Sequence, residues 1–288
     1  MKKILITGAT GNVGNEVIKS FESLNYNYQV YAGVRDVQAD KQKMVSFNAQ
    51  LIQFDFTNSN TFQSALIDID ILFLLRPPQI SEVKKYFKPL IDSAVKNGVK
   101  HIVFLSVQGV QSSKIIPHHK IEKLIVASKI PYTFLRPAYF MQNFTTTLHN
   151  DLKIKNKIYL PAGNSKFTLV DVTDIGEVAA KILIEAADHR YQCYELTCNE
   201  KLTFRDMALK LSKGLGKAIQ YESPNLINFF ITKKKEKMPT MLILVMIMLH
   251  YFPRFQKEPN TTECIANILN KQPKTFEQFI LENKSKLY

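Results

Sequence analysis

Gly8-Ala9-Thr10-Gly11-Asn12-Val13-Gly14 lies between a predicted strand at residues 3–7 (KILIT) and a predicted helix at residues 15–24. The glycines of such a turn allow a tight reversal, let the backbone approach a pyrophosphate, and let the helix pack closely on the strand. The N-terminus of the helix supplies unpaired N–H groups that attract an anion. The G-x-x-G-x-x-G spacing after a strand therefore predicts a dinucleotide-binding turn, with a purely structural turn as the alternative.

The chain up to about residue 150 alternates short apolar runs with helical stretches, as parallel β-α-β units do. Further strands are predicted at residues 29–34, 50–54, 69–75, 101–106 and 132–136. The helices between them are predicted at residues 41–48, 59–66, 81–97 and 117–128, and Gly98 suits the left-handed conformation that follows a helix. The alternation predicts a Rossmann-like α/β fold, in which helices doubly wind a parallel sheet.

The alternation loosens in the second half of the chain. Helices are predicted at residues 175–187, with Asp174 as the cap, and at residues 204–215 and 263–269. We therefore predict an NAD(P)-binding core over residues 1–150 and a smaller, mixed C-terminal substrate lobe over residues 151–288. Within that lobe, residues 151–190 are expected to return partly to the core.

The composition of the 288 residues, 45% apolar and 22% charged, is typical of a folded protein and excludes a disordered or fibrous chain. Three cysteines without a C-x-x-C spacing argue against a disulfide framework and against a zinc site, so no metal is expected. The N-terminus shows no targeting signal. These features favour a reducing compartment, and we predict a cytoplasmic protein.

The net charge of +13 raises nucleic acid as a partner, but its distribution argues against that. Residues 201–288 carry 15 basic and 7 acidic groups, so much of the excess lies at the C-terminal end. The chain has 32 lysines and six arginines. Lysine is a strongly hydrated cation typical of protein surfaces, whereas arginine is the preferred ligand of phosphate. We expect no nucleic-acid partner. A homo-oligomer or a protein partner stays open.

The longest apolar run extends from Met241 to Leu249 and continues through His250, Tyr251 and Phe252. A bilayer-spanning helix needs about 20 apolar residues, so no membrane span is predicted. The run is interpreted as a buried helix or the wall of an apolar pocket, with an interfacial membrane helix as the alternative.

Four stretches carry a resemblance to a known family: TGATGNVG at residues 7–14, FLSV at 104–107, TFLRPAYFMQN at 133–143 and VDVTDIGEVAA at 170–180. They resemble the NmrA-like branch of the atypical short-chain dehydrogenase/reductases, which includes NAD(P)H:quinone reductase-like enzymes. The resemblance reaches KQPKTFEQFILEN at residues 271–283 and so covers most of the chain. It implies an NAD(P)-binding Rossmann fold and names no substrate.

Cofactor-binding candidates begin with the turn residues Gly8, Thr10, Gly11, Asn12, Val13 and Gly14. An NAD site usually ends the second strand with a carboxylate about 20 residues beyond the glycines, but here Arg35 stands there. Because a guanidinium binds a 2′-phosphate, NADP(H) is preferred and NAD(H) is the second choice. Asp36 could instead contact the ribose and is the main argument for NAD(H).

The family resemblance adds three cofactor contacts. It implies that Asp55 and Phe56 lie near the adenine and that Arg76 lies near the ribose and nicotinamide. Asp55 has a second interpretation as a turn residue or helix cap.

Catalytic candidates follow the fifth strand. Short-chain dehydrogenases use a serine with a Tyr-x-x-x-Lys pair, and here Ser106 is present without that pair. His119 and Lys123 lie four residues apart on a predicted helix and could move a proton. The alternative for His119 is a solvated or capping histidine at a helix start.

The family resemblance places the substrate side after the sixth strand, at Tyr139, Phe140 and Asn143, with Phe167 and the 241–252 run as further contacts. Aromatic and methionine side chains suit a flat apolar ligand, and core packing is the alternative.

We predict an NADPH-dependent oxidoreductase that passes hydride to a small, flat, apolar acceptor, with a quinone as the best single candidate. A non-catalytic NADP(H)-binding redox sensor that regulates a protein partner is the alternative.

Overall fold

The computed structural model describes residues 1–24, 28–44 and 47–287. The chain divides into two compact units. The sheet unit comprises Met1–Ala138, Val172–Leu196 and Glu263–Gln272, and the aromatic unit comprises Tyr139–Asp171, Thr197–Thr262 and Pro273–Tyr288.

The strands of the described residues are β1 (Lys2–Thr7), β2 (Tyr28–Val34), β3 (Gln50–Gln53), β4 (Ile71–Leu75), β5 (His101–Leu105), β6 (Tyr132–Pro137), β7 (Tyr139–Phe140), β8 (Lys157–Tyr159), β9 (Lys166–Val170), β10 (Gln192–Leu196), β11 (Lys201–Thr203) and β12 (Gln220–Glu222). The α-helices are α1 (Asn12–Glu22), α2 (Val37–Lys41), α3 (Asn60–Leu66), α4 (Val83–Lys96), α5 (Pro117–Ala127), α6 (His149–Lys155), α7 (Val172–Ile184), α8 (Phe204–Leu215), α9 (Leu226–Lys235), α10 (Thr240–Tyr251), α11 (Cys264–Leu269), α12 (Phe276–Glu282) and α13 (Lys284–Leu287). Short 3-10 helices lie at Gln42–Met44, Val110–Ser112, Met141–Phe144 and Phe252–Phe255.

The sheet unit is built on strands that pair, within the described residues, in the order β10-β6-β5-β4-β1-β2-β3. Every neighbouring pair is parallel. From one edge the order runs 3-2-1-4-5-6, which is the order of dinucleotide-binding sheets, with β10 added beyond β6. All five residues of β5 are buried, because helices cover a parallel sheet on both faces. The predicted Rossmann-like fold is confirmed.

Most of the predicted elements of the sheet unit occur within a few residues of their expected bounds, and Gly98 has the expected positive φ of 70°. The helix predicted at residues 41–48 is misplaced: α2 begins at Val37 because Asp36 caps it, and residues 45 and 46 lie outside the described residues. The role of Asp174 as a cap is wrong. Since α7 begins at Val172, Asp174 lies in its first turn.

The aromatic unit contains two small sheets within the described residues. In one, β9 pairs with β11 antiparallel and with β7 parallel, and in the other β8 pairs with β12. Capping boxes begin two of its helices, with Thr203 and Asp206 at α8 and Thr275 and Gln278 at α12. Its core is rich in buried aromatic rings, among them Phe144, Phe167, Phe204, Phe229, Phe276 and Phe279.

The apolar run near residue 245 forms α10, and the prediction of a buried helix holds for one side only. Ile243, Met246 and His250 are buried, whereas most of the remaining side chains are exposed, because the helix packs along a single face. No helix in the described part of the chain combines the length and apolar character needed to cross a bilayer.

Candidate functional site

The glycine turn has a geometry that other residues would not permit. Gly8 has a φ of 61°, and the N–H of Gly11 donates to its carbonyl oxygen at 2.9 Å. A Cβ on Gly14 would lie 2.3 Å from the same oxygen, and a Cβ on Gly8 would lie 2.7 Å from Leu75. The turn therefore keeps β1, α1 and the end of β4 in close contact, which requires glycine at both positions.

The N-terminus of α1 is open toward an anion. The helix begins at Asn12, Gly11 occupies the N-cap position without a side-chain capping bond, and the first turn has no acidic residue. The first N–H groups of a helix have no partner within the helix, so those of Asn12, Val13 and Gly14 can bind a phosphate. Thr10 is exposed beside them.

The ends of β1 and β4 meet at the point where the strand order of the sheet reverses. The Thr7 hydroxyl donates to the Phe73 carbonyl at 3.0 Å and accepts the N–H of Leu75 at 3.1 Å. Open α/β sheets bind their ligands beyond the carboxyl ends of the strands at this reversal. Gly8 follows β1, Arg76 follows β4 and Ser106 follows β5, so the fold puts all three at the same edge.

Arg35 and Asp36 follow β2, and only the Asp36 side chain takes part in a helix cap. Arg35 is exposed. One carboxylate oxygen of Asp36 accepts the N–H groups of Gln38 and Ala39 at 2.9 and 3.0 Å and so caps α2. The carboxylate that would favour a ribose hydroxyl is therefore committed to a helix terminus.

Asp55 and Phe56 follow β3 and contribute to local structure. A carboxylate oxygen of Asp55 accepts both the N–H and the hydroxyl of Thr57 at 2.8 Å, which forms a turn. The ring of Phe56 is buried and packs on Phe54 and Phe87, with centroids 4.9 and 5.4 Å away. A contact of Phe56 with an adenine would therefore involve its main chain.

Arg76 organises the loop after β4. Its Nη1 donates to the carbonyl oxygens of Pro77, Pro78 and Ile80 at 3.1, 3.0 and 2.8 Å. Its Nε donates to Nε2 of His118 at 3.4 Å. Burial, and then the charge of Arg76, lower the pKa of His118 to about 3, so the imidazole is a neutral acceptor. Sequence reasoning singled out His119 and missed His118, and the only signal was their adjacency.

Two candidate catalytic atoms are buried without a hydrogen-bond partner among the described residues, namely Oγ of Ser106 and Nε2 of His119. The other ring nitrogen of His119, Nδ1, lies 3.2 Å from the Val110 carbonyl and donates to it, which leaves Nε2 as the acceptor in the neutral tautomer. Lys123 is exposed on α5, one turn beyond His119. The pairing of His119 with Lys123 stays a prediction.

A buried ion pair holds α5, which carries His118 and His119, against β6. Nε and Nη2 of Arg136 donate to the two carboxylate oxygens of Glu122 at 3.0 and 2.8 Å. Such a two-bond contact fixes orientation as well as distance.

The predicted substrate residues lie in the aromatic unit, where Tyr139 is held by the core. Its ring contacts Phe144, Phe167 and Phe204, with centroids 5.7 to 6.5 Å away. Its hydroxyl donates to Nε2 of His250 at 3.1 Å, while Nδ1 of His250 donates to the Met246 carbonyl at 2.7 Å. Burial lowers the pKa of His250 to about 4 and raises the pKa of Tyr139.

Phe140 and Asn143 are both half-buried. Asn143 hydrogen-bonds the Tyr139 side chain. Among the described residues, no cluster of His, Cys, Asp and Glu side chains has the arrangement of a metal site.

Comparisons with known proteins agree with this architecture. Prestalk A differentiation protein A of Dictyostelium discoideum is 28% identical over 285 residues, which span 98% of this chain and 92% of that protein. Quinone oxidoreductase 2 of Escherichia coli (strain K12) is 27% identical over 240 residues, 82% of each chain. A solved NADPH-dependent quinone oxidoreductase from Escherichia coli, complexed with NADPH, has a TM-score of 0.87 at 24% identity and covers 97% of this chain and 99% of its own.

A transcriptional regulator is also among the similar solved structures. The structure of NmrA, a negative transcriptional regulator in complex with NAD, has a TM-score of 0.75 at 17% identity, covering 98% of this chain and 94% of its own. Likeness at these identities establishes the fold. The model of the NmrA-like family matches residues 1–280, which is nearly the whole chain, and the chain therefore belongs to the NmrA-like family.

Proposed function

We propose that this chain is an NADPH-dependent oxidoreductase that passes hydride to a small, flat, apolar acceptor. The observation that carries the proposal is the glycine turn, in which a Cβ on Gly14 would collide with the Gly8 carbonyl while the N-terminus of α1 stays open. A turn that only reversed the chain would not need an uncapped helix terminus beside it. We assign cofactor binding to the sheet unit.

The cofactor would be held by groups at the carboxyl edge of the sheet. The N–H groups of Asn12, Val13 and Gly14 would bind the pyrophosphate. Asp55 and the main chain of Phe56 would contact the adenine, and Arg76 would contact the nicotinamide half. The fit is supported by the buried Ser106 Oγ and His119 Nε2, because buried polar atoms without partners are rare unless a ligand or water satisfies them.

Preference for NADPH over NADH is assigned to Arg35. Its guanidinium is exposed directly after β2, and the neighbouring carboxylate of Asp36 is occupied as the cap of α2. A 2′-phosphate would gain charge-assisted hydrogen bonds from Arg35, whereas a ribose hydroxyl would gain little. NADH stays the weaker cofactor.

Hydride transfer to a quinone requires the protein mainly to position the cofactor and the acceptor. Bound NADPH supplies a hydride. The Ser106 hydroxyl would donate a hydrogen bond to the acceptor oxygen, and Nε2 of His119 would bind a water or the acceptor. Lys123 contributes a positive charge on the same helix. A quinone collects its proton from water, which is consistent with the absence of a Tyr-x-x-x-Lys pair after Ser106. Phe140 and Asn143, which are half-buried, stay candidates for acceptor contact, whereas Tyr139 is held by the core of its unit.

The alternative is a redox sensor that binds NADP(H) without turnover and regulates a protein partner. The missing Tyr-x-x-x-Lys pair also favours this function, since a sensor needs no proton donor. NmrA itself is described as a negative transcriptional regulator.

Steady-state oxidation of NADPH with 1,4-benzoquinone and a naphthoquinone separates the two functions. The oxidoreductase predicts saturable turnover that falls in a Ser106→Ala variant with unchanged NADPH affinity. Tight NADPH binding without turnover across a broad acceptor panel would favour the sensor. Absence of NADP(H) binding would exclude both.

A further inference from the structure

The outward side of α10 is apolar over its whole length. The helix sequence TMLILVMIMLHY contains no acidic residue, no lysine and no arginine. We define the α10 face by the exposed apolar side chains of this helix and of the 3-10 helix after it, which are 39% to 71% exposed: Met241, Leu242, Leu244, Met248, Leu249, Phe252 and Phe255. A helix that is apolar all round is normally buried on all sides, so the α10 face is expected to be covered by something else.

The α10 face is held outward by the packing beneath it. Ile243, Met246 and His250 are fully or nearly fully buried on the opposite side. His250 hydrogen-bonds the Tyr139 hydroxyl at 3.1 Å and thereby fixes the rotation of the helix about its axis. The helix cannot bury its outer side by turning without breaking these contacts.

Positive charges stand at both ends of the α10 face. Lys234, Lys235 and Lys237 are exposed just before α10, and Nζ of Lys234 lies 3.1 Å from the Thr240 hydroxyl at its first residue. Arg254 and Lys257 are exposed after the helix, and the Arg254 guanidinium lies 5.1 Å from the centroid of the Tyr251 ring.

The acidic residues of this segment are already neutralised. Glu236 is the one acidic residue in the sequence from 233 to 257, and its carboxylate binds Lys155 and Lys233. Glu258 binds Lys166 and Lys201 at 3.2 and 3.6 Å. The field over the α10 face is therefore positive at both ends.

We propose that the α10 face docks on an anionic membrane surface. An apolar helix side enters the boundary between head groups and acyl chains, while lysines at its ends bind anionic lipid head groups. A single bilayer surface thus matches both the apolar side chains and the cations. A second copy of this chain matches worse, because a two-fold contact through the α10 face would bring the positive ends of the two copies together.

Sedimentation with vesicles tests the proposal on the whole 288-residue chain. Wild type is mixed with vesicles of phosphatidylcholine and phosphatidylserine, or of phosphatidylcholine alone, at low and high salt. We expect binding to the anionic vesicles that weakens as salt rises, because the lysine contribution is screened. The Met248→Glu/Leu249→Glu variant should lose binding, and the Lys234→Gln/Lys235→Gln/Lys237→Gln variant should bind roughly 100-fold more weakly.

Matched controls use exposed residues elsewhere in the aromatic unit. Leu209 and Leu281 are 64% and 65% exposed, so Leu209→Glu/Leu281→Glu adds the same charges away from the α10 face. Lys213→Gln/Lys284→Gln/Lys286→Gln removes three other exposed lysines. Both controls should bind as wild type does, and thermal unfolding confirms that each variant is folded.

Three results would overturn the proposal. The first is that wild type binds neutral and anionic vesicles equally, or binds neither. The second is that the Met248→Glu/Leu249→Glu variant binds vesicles as strongly as wild type does. The third is that wild type self-associates and this variant does not, which would assign the face to a second copy. The assay involves no turnover, so its outcome is independent of the proposed oxidoreductase activity.

Discussion

In the sheet unit, the Ser106 hydroxyl and Nε2 of His119 are buried without a hydrogen-bond partner among the described residues, whereas in the aromatic unit the Tyr139 hydroxyl donates to His250. An unsatisfied buried polar group costs about 1–3 kcal/mol, so it persists where a ligand or water completes it. The contrast teaches that the sheet unit leaves these two candidate groups available, while the aromatic unit uses the Tyr139 hydroxyl for its own stability.

The largest expected effect is a test of the sheet unit's turn. Gly14→Ala puts a Cβ against the Gly8 carbonyl, and we expect NADPH affinity to fall at least about 100-fold, because the backbone must move. Gly216→Ala in the aromatic unit is the control. Gly216 has a φ of 71°, and a Cβ added there would meet no atom of the described residues within 4 Å. This change should therefore cost about 1 kcal/mol of stability without changing NADPH affinity. Equal NADPH titrations for the two variants would contradict the assigned turn.

The next effect concerns acid stability and involves a buried histidine in each unit. Burial lowers the pKa of His101 in the sheet unit and of His250 in the aromatic unit from 6.5 to about 4. Because the unfolded chain then binds more protons, the stabilisation is complete above pH 6.5 and is lost as pH falls toward 4. Protonation linked to each histidine should lower the free energy of unfolding by roughly 3 kcal/mol between pH 6.5 and pH 4.

Urea unfolding between pH 4 and 7 measures this effect. His101→Gln and His250→Gln should each flatten the pH dependence of the unfolding free energy. An unchanged slope in either variant would show that the histidine of that unit is not held neutral.

Arg35→Ala gives an intermediate effect that is confined to the sheet unit. We expect NADPH affinity to fall about 10- to 100-fold, the value of charge-assisted hydrogen bonds to the 2′-phosphate, with NADH affinity nearly unchanged. Arg254→Ala removes an exposed arginine from the aromatic unit and should leave both affinities as in wild type. Titration of both cofactors decides the matter, and parallel losses for NADPH and NADH would remove Arg35 from the 2′-phosphate site.

The smallest effects compare the two hydroxyl groups directly. Ser106→Ala removes no side-chain hydrogen bond to any described residue, so the melting temperature should not change. The kcat should fall about 10-fold, the value of one hydrogen bond to the acceptor. Tyr139→Phe leaves Nε2 of His250 without its donor and should destabilise the fold by about 1–2 kcal/mol. A stability loss in Ser106→Ala, or none in Tyr139→Phe, would reverse the comparison.

Sequence reasoning reached much of the sheet unit and little of the aromatic unit. The β-α alternation identified the strands because each run of apolar residues is continuous in the chain and covered on both faces, as in β5. It misplaced α2, since the cap at Asp36 outweighed the helical pattern of the following residues. In the aromatic unit, α10 was expected to be buried, because composition does not tell which side of an apolar helix finds neighbours.

The candidate site divides in the same way. The glycine turn and Arg35 follow from spacing along the chain. The contact of Arg76 with His118 joins residues 42 positions apart, and that of Tyr139 with His250 joins residues 111 positions apart. No local pattern encodes such pairs.

The sequence by itself determined the Rossmann-like class, the position of the glycine turn and the family, because these depend on short-range periodicity and on glycines that no other residue replaces. Tertiary structure alone decided which polar atoms are satisfied, which side of α10 is exposed, and that Asp36 caps a helix while Arg35 stays exposed. Hydrogen-bond satisfaction and burial depend on residues that the fold brings together from distant positions in the chain, so short-range sequence patterns do not predict them.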